Sequence, residues 1–215
     1  MNRTITITGV GQASVKPDQI VITLALETID TDYEKTMQLA ATAITAMNEA
    51  VHSIGFGEKD LKTTHFHIDT HYENYRDKNN DYKRRFVGYK CQHNLKLAFA
   101  YDTAHLSKVL TALAKTKIYP EITIAFTVKD QTAVSEQLLL YATENARQKA
   151  TILARAAGAE LGELLTIDYS WKDIYFHSPT HYQRDSRVMM EAAIPEIEPE
   201  DITVQDSVSF VWGIR

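Results

Sequence analysis

Apolar and polar residues alternate at Ile5 and Ile7, and more strictly at Ile20, Ile22, Leu24 and Leu26. A period of two puts every second side chain on one face of a strand, so a short strand and then a long one are predicted. Gly9-Val10-Gly11 and Lys16-Pro17-Asp18 between them read as turns. The period then changes. Tyr33, Met37, Ala40, Ile44, Met47, Val51 and Ile54 recur every three or four positions, one apolar stripe on a six-turn helix. Thr31, with Glu34 three residues on, reads as a capping box that opens this helix, and Gly55 is placed to end it.

Residues 62–75 and 85–101 are strand-like and are joined by the polar cluster Asp77-Lys78-Asn79-Asn80-Asp81, which predicts a long β-hairpin. Asp102 is positioned to cap a helix carrying Leu106, Val109, Leu110 and Leu113. Ile122, Ile124, Phe126 and Val128 alternate as a further strand, and Asp130 caps the longest helix, which ends near Gly158. Ala142, Ala146, Ala150 and Ala154 form a ridge of small residues that lets this helix lie close against a sheet. A strand entering an Asp- or Thr-capped helix thus occurs three times, at ITLALETID, LKLAFAYD and ITIAFTVKD. Leu164 to Tyr169 gives another strand, 171–200 reads as a long loop, and Val204, Val208, Phe210 and Trp212 mark a terminal strand. The expectation is an α+β fold over residues 1–215: a mixed, largely antiparallel sheet with about three helices packed on it, repeated strand–helix units and a long hairpin.

Composition narrows the functions open to the chain. It has 215 residues, 44% of them hydrophobic, and a net charge of −5. An acid surplus disfavours a nucleic-acid binder, because phosphate contacts need a basic stripe. The run Lys83-Arg84-Arg85 falls at the hairpin and reads as solvated turn charge. One cysteine, Cys91, rules out an intrachain disulfide and a multi-cysteine metal knuckle. No apolar stretch approaches the roughly 20 residues of a membrane span. Met1-Asn2-Arg3 runs directly into alternation, without the apolar core of an export signal, so the chain as written reads as cytoplasmic, or as periplasmic if a leader precedes it.

Histidine offers the clearest candidate chemistry. His65, His67 and His71 share a strand face by even spacing, with Cys91 and His93 on the returning strand. Imidazole and thiolate suit zinc or copper. A hairpin centred on Asn79 would pair His65 with His93 and His67 with Cys91, forming a tetrad. A one-residue slip would instead unite Phe66 and Ile68 with the apolar face of the second strand and separate the histidine pairs. Burial favours the slipped register. His177, His181, Tyr175, Tyr182 and Arg184 could meet a partner or an anion, against the plainer reading of a solvated loop. Gly9-x-Gly11 lacks the third glycine and the following helix of a nucleotide fingerprint, and no G-x-S-x-G, H-E-x-x-H or P-loop pattern occurs. A thiol on a strand, such as Cys91, is more often a small buried hydrophobe than a nucleophile.

Five collinear segments carry a family resemblance. They are ITITGVGQASVKPDQIVITLALET, GFGEKDLKTTHFHI, GYKCQHNLKLAF, ATENARQKATILARAAGAELGELLTID and EPEDITVQDSVSFVW, in order along the chain. Together they resemble the SIMPL-domain family, though Thr70-His71-Tyr72 stands where members often carry Pro-x-Tyr. The resemblance implies kinship with a eukaryotic protein that associates with a signalling kinase, and with bacterial envelope proteins, some linked to oxidative-stress resistance and some to oligomeric assembly. It brings no catalytic residues and no cofactor. The expected function is non-enzymatic assembly and partner binding, with self-association. Two readings stand beside it: a metal-dependent protein using His65, His67, Cys91 and His93, or a small-ligand sensor with the 171–200 loop as a lid.

Overall fold

The computed structural model of the protein describes residues 3–78, 80–170, 172–180, 182–185 and 197–215. In chain order the elements are β1 (Thr4–Val15), β2 (Gln19–Asp30), α1 (Tyr33–His52), β3 (Lys62–Arg76), β4 (Tyr82–Ala100), α2 (Thr103–Lys115), β5 (Glu121–Thr127), α3 (Gln131–Ala156), β6 (Leu161–Asp168), β7 (Tyr182–Asp185) and β8 (Ile202–Ile214). The α+β class and the antiparallel pairing expected from the alternation are both present, with the strands divided between a three-stranded and a five-stranded sheet. Two compact units contain them: residues 1–18, 127–179 and 199–215 in one, and 19–126 with 180–198 in the other.

In the first unit the sheet order is β1-β8-β6, and α3 lies along β1 and β8. The turn expected at Gly9-Val10-Gly11 does not form: β1 runs straight through it. The glycines serve contact instead. A methyl group on Gly9 would sit 1.9 Å from the Ala142 carbonyl oxygen, and one on Gly11 1.9 Å from that of Leu138. The helix backbone rests directly on the strand. Ala142, Ala146 and Ala150 are the helix's half of the same contact, fully buried beside Val208, Phe210 and Trp212, and Ala154 is almost fully buried one turn on. α3 also covers the outer edge of β1. The Val10 N–H donates to Asn145 Oδ1 (3.1 Å), and Lys149 Nζ donates to the Thr8 carbonyl (3.4 Å). Covering an edge in this way stops another strand from adding there.

The expected long loop at 171–200 is corrected in part. Ile174 and Phe176 pack with Val134, Leu138 and Val204, because they carry the apolar surface that the end of the sheet needs covered. Thr127 Oγ1 donates to the Phe176 carbonyl and Ser178 Oγ to that of Glu200 (2.7 Å), so residues 174–178 are bound into this unit. Tyr182–Asp185 forms β7, paired antiparallel with β5. Trp171, His181 and residues 186–196 lie outside the described residues.

In the second unit the order is β3-β4-β2-β5-β7. β2 and β4 are antiparallel with Leu24 opposite Leu95 and Ile22 opposite Leu97. These four join Met47 and Val51 of α1 and Leu106, Leu110 and Leu113 of α2 in one core, every one of them essentially inaccessible to solvent. Each such side chain contributes about 1.5–3 kcal/mol of transfer free energy.

Three helices begin alike. Asp32, Asp102 and Asp130 each accept a hydrogen bond from the backbone N–H three residues on, at 2.9, 2.9 and 3.0 Å. The first of these corrects the expected Thr31 cap by one residue. Asp30 is still paired to Tyr89 at the end of β2 and accepts from the Asp32 N–H (3.0 Å), which turns the chain so that Asp32 stands at the helix entrance. A carboxylate there also opposes the positive end of the helix dipole.

Candidate functional site

The β3–β4 hairpin is exposed along β3 and along the distal part of β4. β3 is an edge strand in which thirteen of fifteen residues are exposed, with only Ile68 and His71 half-buried. Its partner β4 is bound on both sides from Tyr89 to Lys96, because β2 pairs with it there as well. Tyr82–Gly88 lies beyond the end of β2 and pairs with β3 alone. The distal half of the hairpin is therefore a two-stranded ribbon that leaves the sheet.

The register settles where the histidines go. At the tip Tyr75 opposes Lys83 and Arg76 opposes Tyr82, a pairing centred on Asn79. Between Tyr72–Phe86 and His71–Gly88 the pairing slips by one residue, with Val87 unpaired on β4. From there inward Phe66 opposes His93, Ile68 opposes Cys91 and His67 opposes Gln92. Both registers weighed from the sequence thus occur, one on each side of a bulge. A signal for it was present. Gly88 is a lone glycine in a strand pattern, and a Cβ there would meet the Asp30 carbonyl oxygen at 2.3 Å, so only glycine lets β4 pass the end of β2.

As a result His65 and His67 stand on the outer face, both exposed, with ring centroids 6.2 Å apart. Cys91 and His93 are buried on the opposite, helix-covered face. The four do not converge, and no group of three or more His, Cys, Asp or Glu side chains among the described residues is arranged to hold a metal ion. Burial pushes the Cys91 thiol above its usual pKa, with the Thr28 hydroxyl opposing weakly. Among the described residues Thr28 Oγ1 has no stronger partner than that thiol, its neighbour across the strand pair. His93 Nε2 lies 2.8 Å from Thr63 Oγ1, its Nδ1 has no partner among the described residues, and burial holds its pKa below the usual imidazole value.

Past α1 the helix-side face of the hairpin continues as a row of rings. Tyr33 of α1 meets Tyr89 edge-on at 5.4 Å, Tyr89 meets Phe86 at 5.5 Å, and Phe86 meets Tyr72 at 5.7 Å. Arg84 lies over Tyr72 (4.4 Å to the centroid) and Arg76 over Tyr82 (4.6 Å). Arg76 also donates to Tyr82 Oη and Asn80 Oδ1. The other face is ion-paired: Arg85 binds Glu73 at 2.7 Å and Lys83 binds Asp77. The Glu73 carboxyl is held below its usual pKa by Arg85. Sequence reading took Lys83-Arg84-Arg85 as one solvated run, and missed that alternation sends Arg84 to one face and its two neighbours to the other.

Of the remaining candidates, His177 is exposed and bridges to Thr127, and Tyr175 beside it is exposed as well. Tyr182 and Arg184 lie on β7, opposite Ile124 and Ile122. A groove of about 540 Å³ runs beneath 172–175 on the open face of the three-stranded sheet, lined by Thr8, Val10, Lys172, Tyr175, Gln205 and Ser207 among others. Among the described residues no helix is long and apolar enough to cross a membrane.

The SIMPL family, described as a protein of unknown function (DUF541), matches residues 5–212. Two relatives named 26 kDa periplasmic immunogenic protein, from Brucella melitensis and Brucella abortus, are each 26% identical over 163 residues. The match takes in 76% of this chain and 65% of each relative, so the chain spans about two-thirds of the length of those relatives.

Proposed function

The chain belongs to the SIMPL family, and from that premise we propose that it is a non-enzymatic assembly protein whose copies meet at the β3–β4 hairpin. The observation that carries this reading is the contrast between two sheet edges. The β1 edge is covered by Asn145 and Lys149 of its own helix, whereas among the described residues nothing covers the fifteen-residue edge of β3. An uncovered edge that long is a template for another chain. The buried polar groups support a framework role. Thr127 and Ser178 bond backbone carbonyls, and Asp206 accepts from Tyr169 Oη (2.9 Å) and from the Ser207 N–H. The relatives' name supports a periplasmic home, and the link to oxidative stress rests on the family resemblance alone.

Sedimentation velocity of the purified chain across micromolar concentrations tests the reading. Species heavier than the 24.4 kDa of one chain, growing with concentration, are expected. A single 24.4 kDa species throughout would refute it.

The groove beneath 172–175 favours a second reading, a small-ligand site roofed by that segment. It would gain support from a polar ligand that slows proteolysis at 172–175.

A further inference from the structure

We infer that the aromatic–arginine face of the distal hairpin supplies the side-chain contacts of that assembly, and that its occupant is an acidic surface on a second copy of this chain. The inference rests on the assembly reading above and names the surface it uses.

The two faces of the ribbon are chemically unlike. On one face both cations are neutralised by carboxylates, Arg85 by Glu73 and Lys83 by Asp77. On the other, Arg76 and Arg84 lie over tyrosine rings, and among the described residues no carboxylate pairs with either. Tyr72, Tyr82 and Phe86 on that face are 42%, 74% and 47% exposed. Tyrosine, phenylalanine and arginine are the residues that carry binding energy at protein interfaces, because they bury large, stiff, amphipathic area. A guanidinium stacked on a ring is held ready for a carboxylate, which lowers the ordering cost of binding. The ribbon leaves the sheet at Gly88, so this face stands clear of β2.

Charge selects the partner. Tyr72–Phe86 carries five basic and three acidic residues, whereas the whole chain has a net charge of −5. The acid surplus therefore lies elsewhere on the same chain, and every copy brings both halves of a complementary pair. Two copies cannot meet ribbon face to ribbon face, since Arg76 and Arg84 would oppose the same cations. The contact is heterologous, ribbon to acidic surface, a geometry that builds rings or filaments. Nucleic acid would offer denser negative charge, but the overall −5 repels it.

The test is sedimentation velocity of the full-length chain and its variants at about 50 and 500 mM salt, spanning the range over which exposed charges become screened. Arg76→Glu/Arg84→Glu is expected to weaken self-association at least tenfold at low salt, and Arg76→Gln/Arg84→Gln by a smaller factor with the same sign. Arg85→Glu, on the paired face, is expected to change it less than twofold. Circular dichroism matching wild type confirms that each variant is folded, and the glutamine pair keeps the test valid if the charge reversal unfolds. Wild-type association that persists unchanged in both arginine pairs would overturn the inference and leave the assembly reading standing. A wild-type chain that never exceeds one mass would overturn both.

Discussion

Phe66 stands directly opposite His93 across the β3–β4 pair, and the two rings meet edge to face at 5.2 Å. The contact closes the rim of the core over an imidazole whose Nδ1 has no partner among the described residues, while its Nε2 faces the Thr63 hydroxyl. His93 is a buried ring under an aromatic cover.

That arrangement fixes the sign of a pH effect. Burial holds the folded-state pKa of His93 below the usual value of 6.5. An unfolded chain takes up the proton near pH 6.5, the folded one only at lower pH. Between those values the unfolded state binds more protons, so stability falls as the pH is lowered through the window. The urea midpoint of wild type should drop more between about pH 7.5 and 5.5 than that of His93→Leu. Equal drops would show that His93 contributes nothing.

Cys91 should be chemically silent in the native state. It is 1% exposed and its thiol is shifted upward by burial, so little thiolate forms and reagents cannot reach it. Reaction with a chromogenic disulfide is expected only after denaturant is added. Stoichiometric reaction of the folded protein within seconds would contradict the placement.

Gly9→Ala should be strongly destabilising. The added methyl would overlap the Ala142 carbonyl and lie 2.7 Å from the Ala146 Cβ, so α3 must lift from β1. A cost of about 3 kcal/mol in chemical denaturation is expected. Gly57→Ala, whose new Cβ would find its nearest neighbour at 3.5 Å, is the control and should change stability by less than about 0.5 kcal/mol.

Asn145→Ala should uncover the Val10 N–H at the β1 edge. Losing one exposed hydrogen bond costs about 1 kcal/mol. Faster aggregation under mild destabilisation, read by light scattering, is expected because the strand regains a free edge. Unchanged aggregation would mean that the edge is covered by something other than this amide.

Periodicity found the elements because burial writes it. Ile20 to Leu26 alternate since one face of β2 is inaccessible, and Ala142 to Ala154 recur by fours since one stripe of α3 is. Features set by a partner far along the chain were not legible. Gly9 and Gly11 read as a turn until α3 is seen lying on them. At the tip the pairing, Tyr75 opposite Lys83, follows the register that burial argued against, and the bulge at Val87 that joins the two registers was signalled only by the lone Gly88, because β4 has to clear the end of β2. The register favoured on burial holds from His71 to His65 and keeps His65 and His67 on the face opposite Cys91 and His93. That Arg76 and Arg84 meet no carboxylate among the described residues was hidden by the same limit, since cross-strand neighbours decide which cations find carboxylates.

Hydrogen exchange along β3, followed as protein concentration is raised, puts the assembly account to its most direct trial. If copies meet at the hairpin, amides within Lys62–Arg76 exchange more slowly at high concentration, while those of the Asn145-covered β1 edge keep their rate. Exchange along Lys62–Arg76 that is fast and identical at every concentration would mean that this edge meets no second chain.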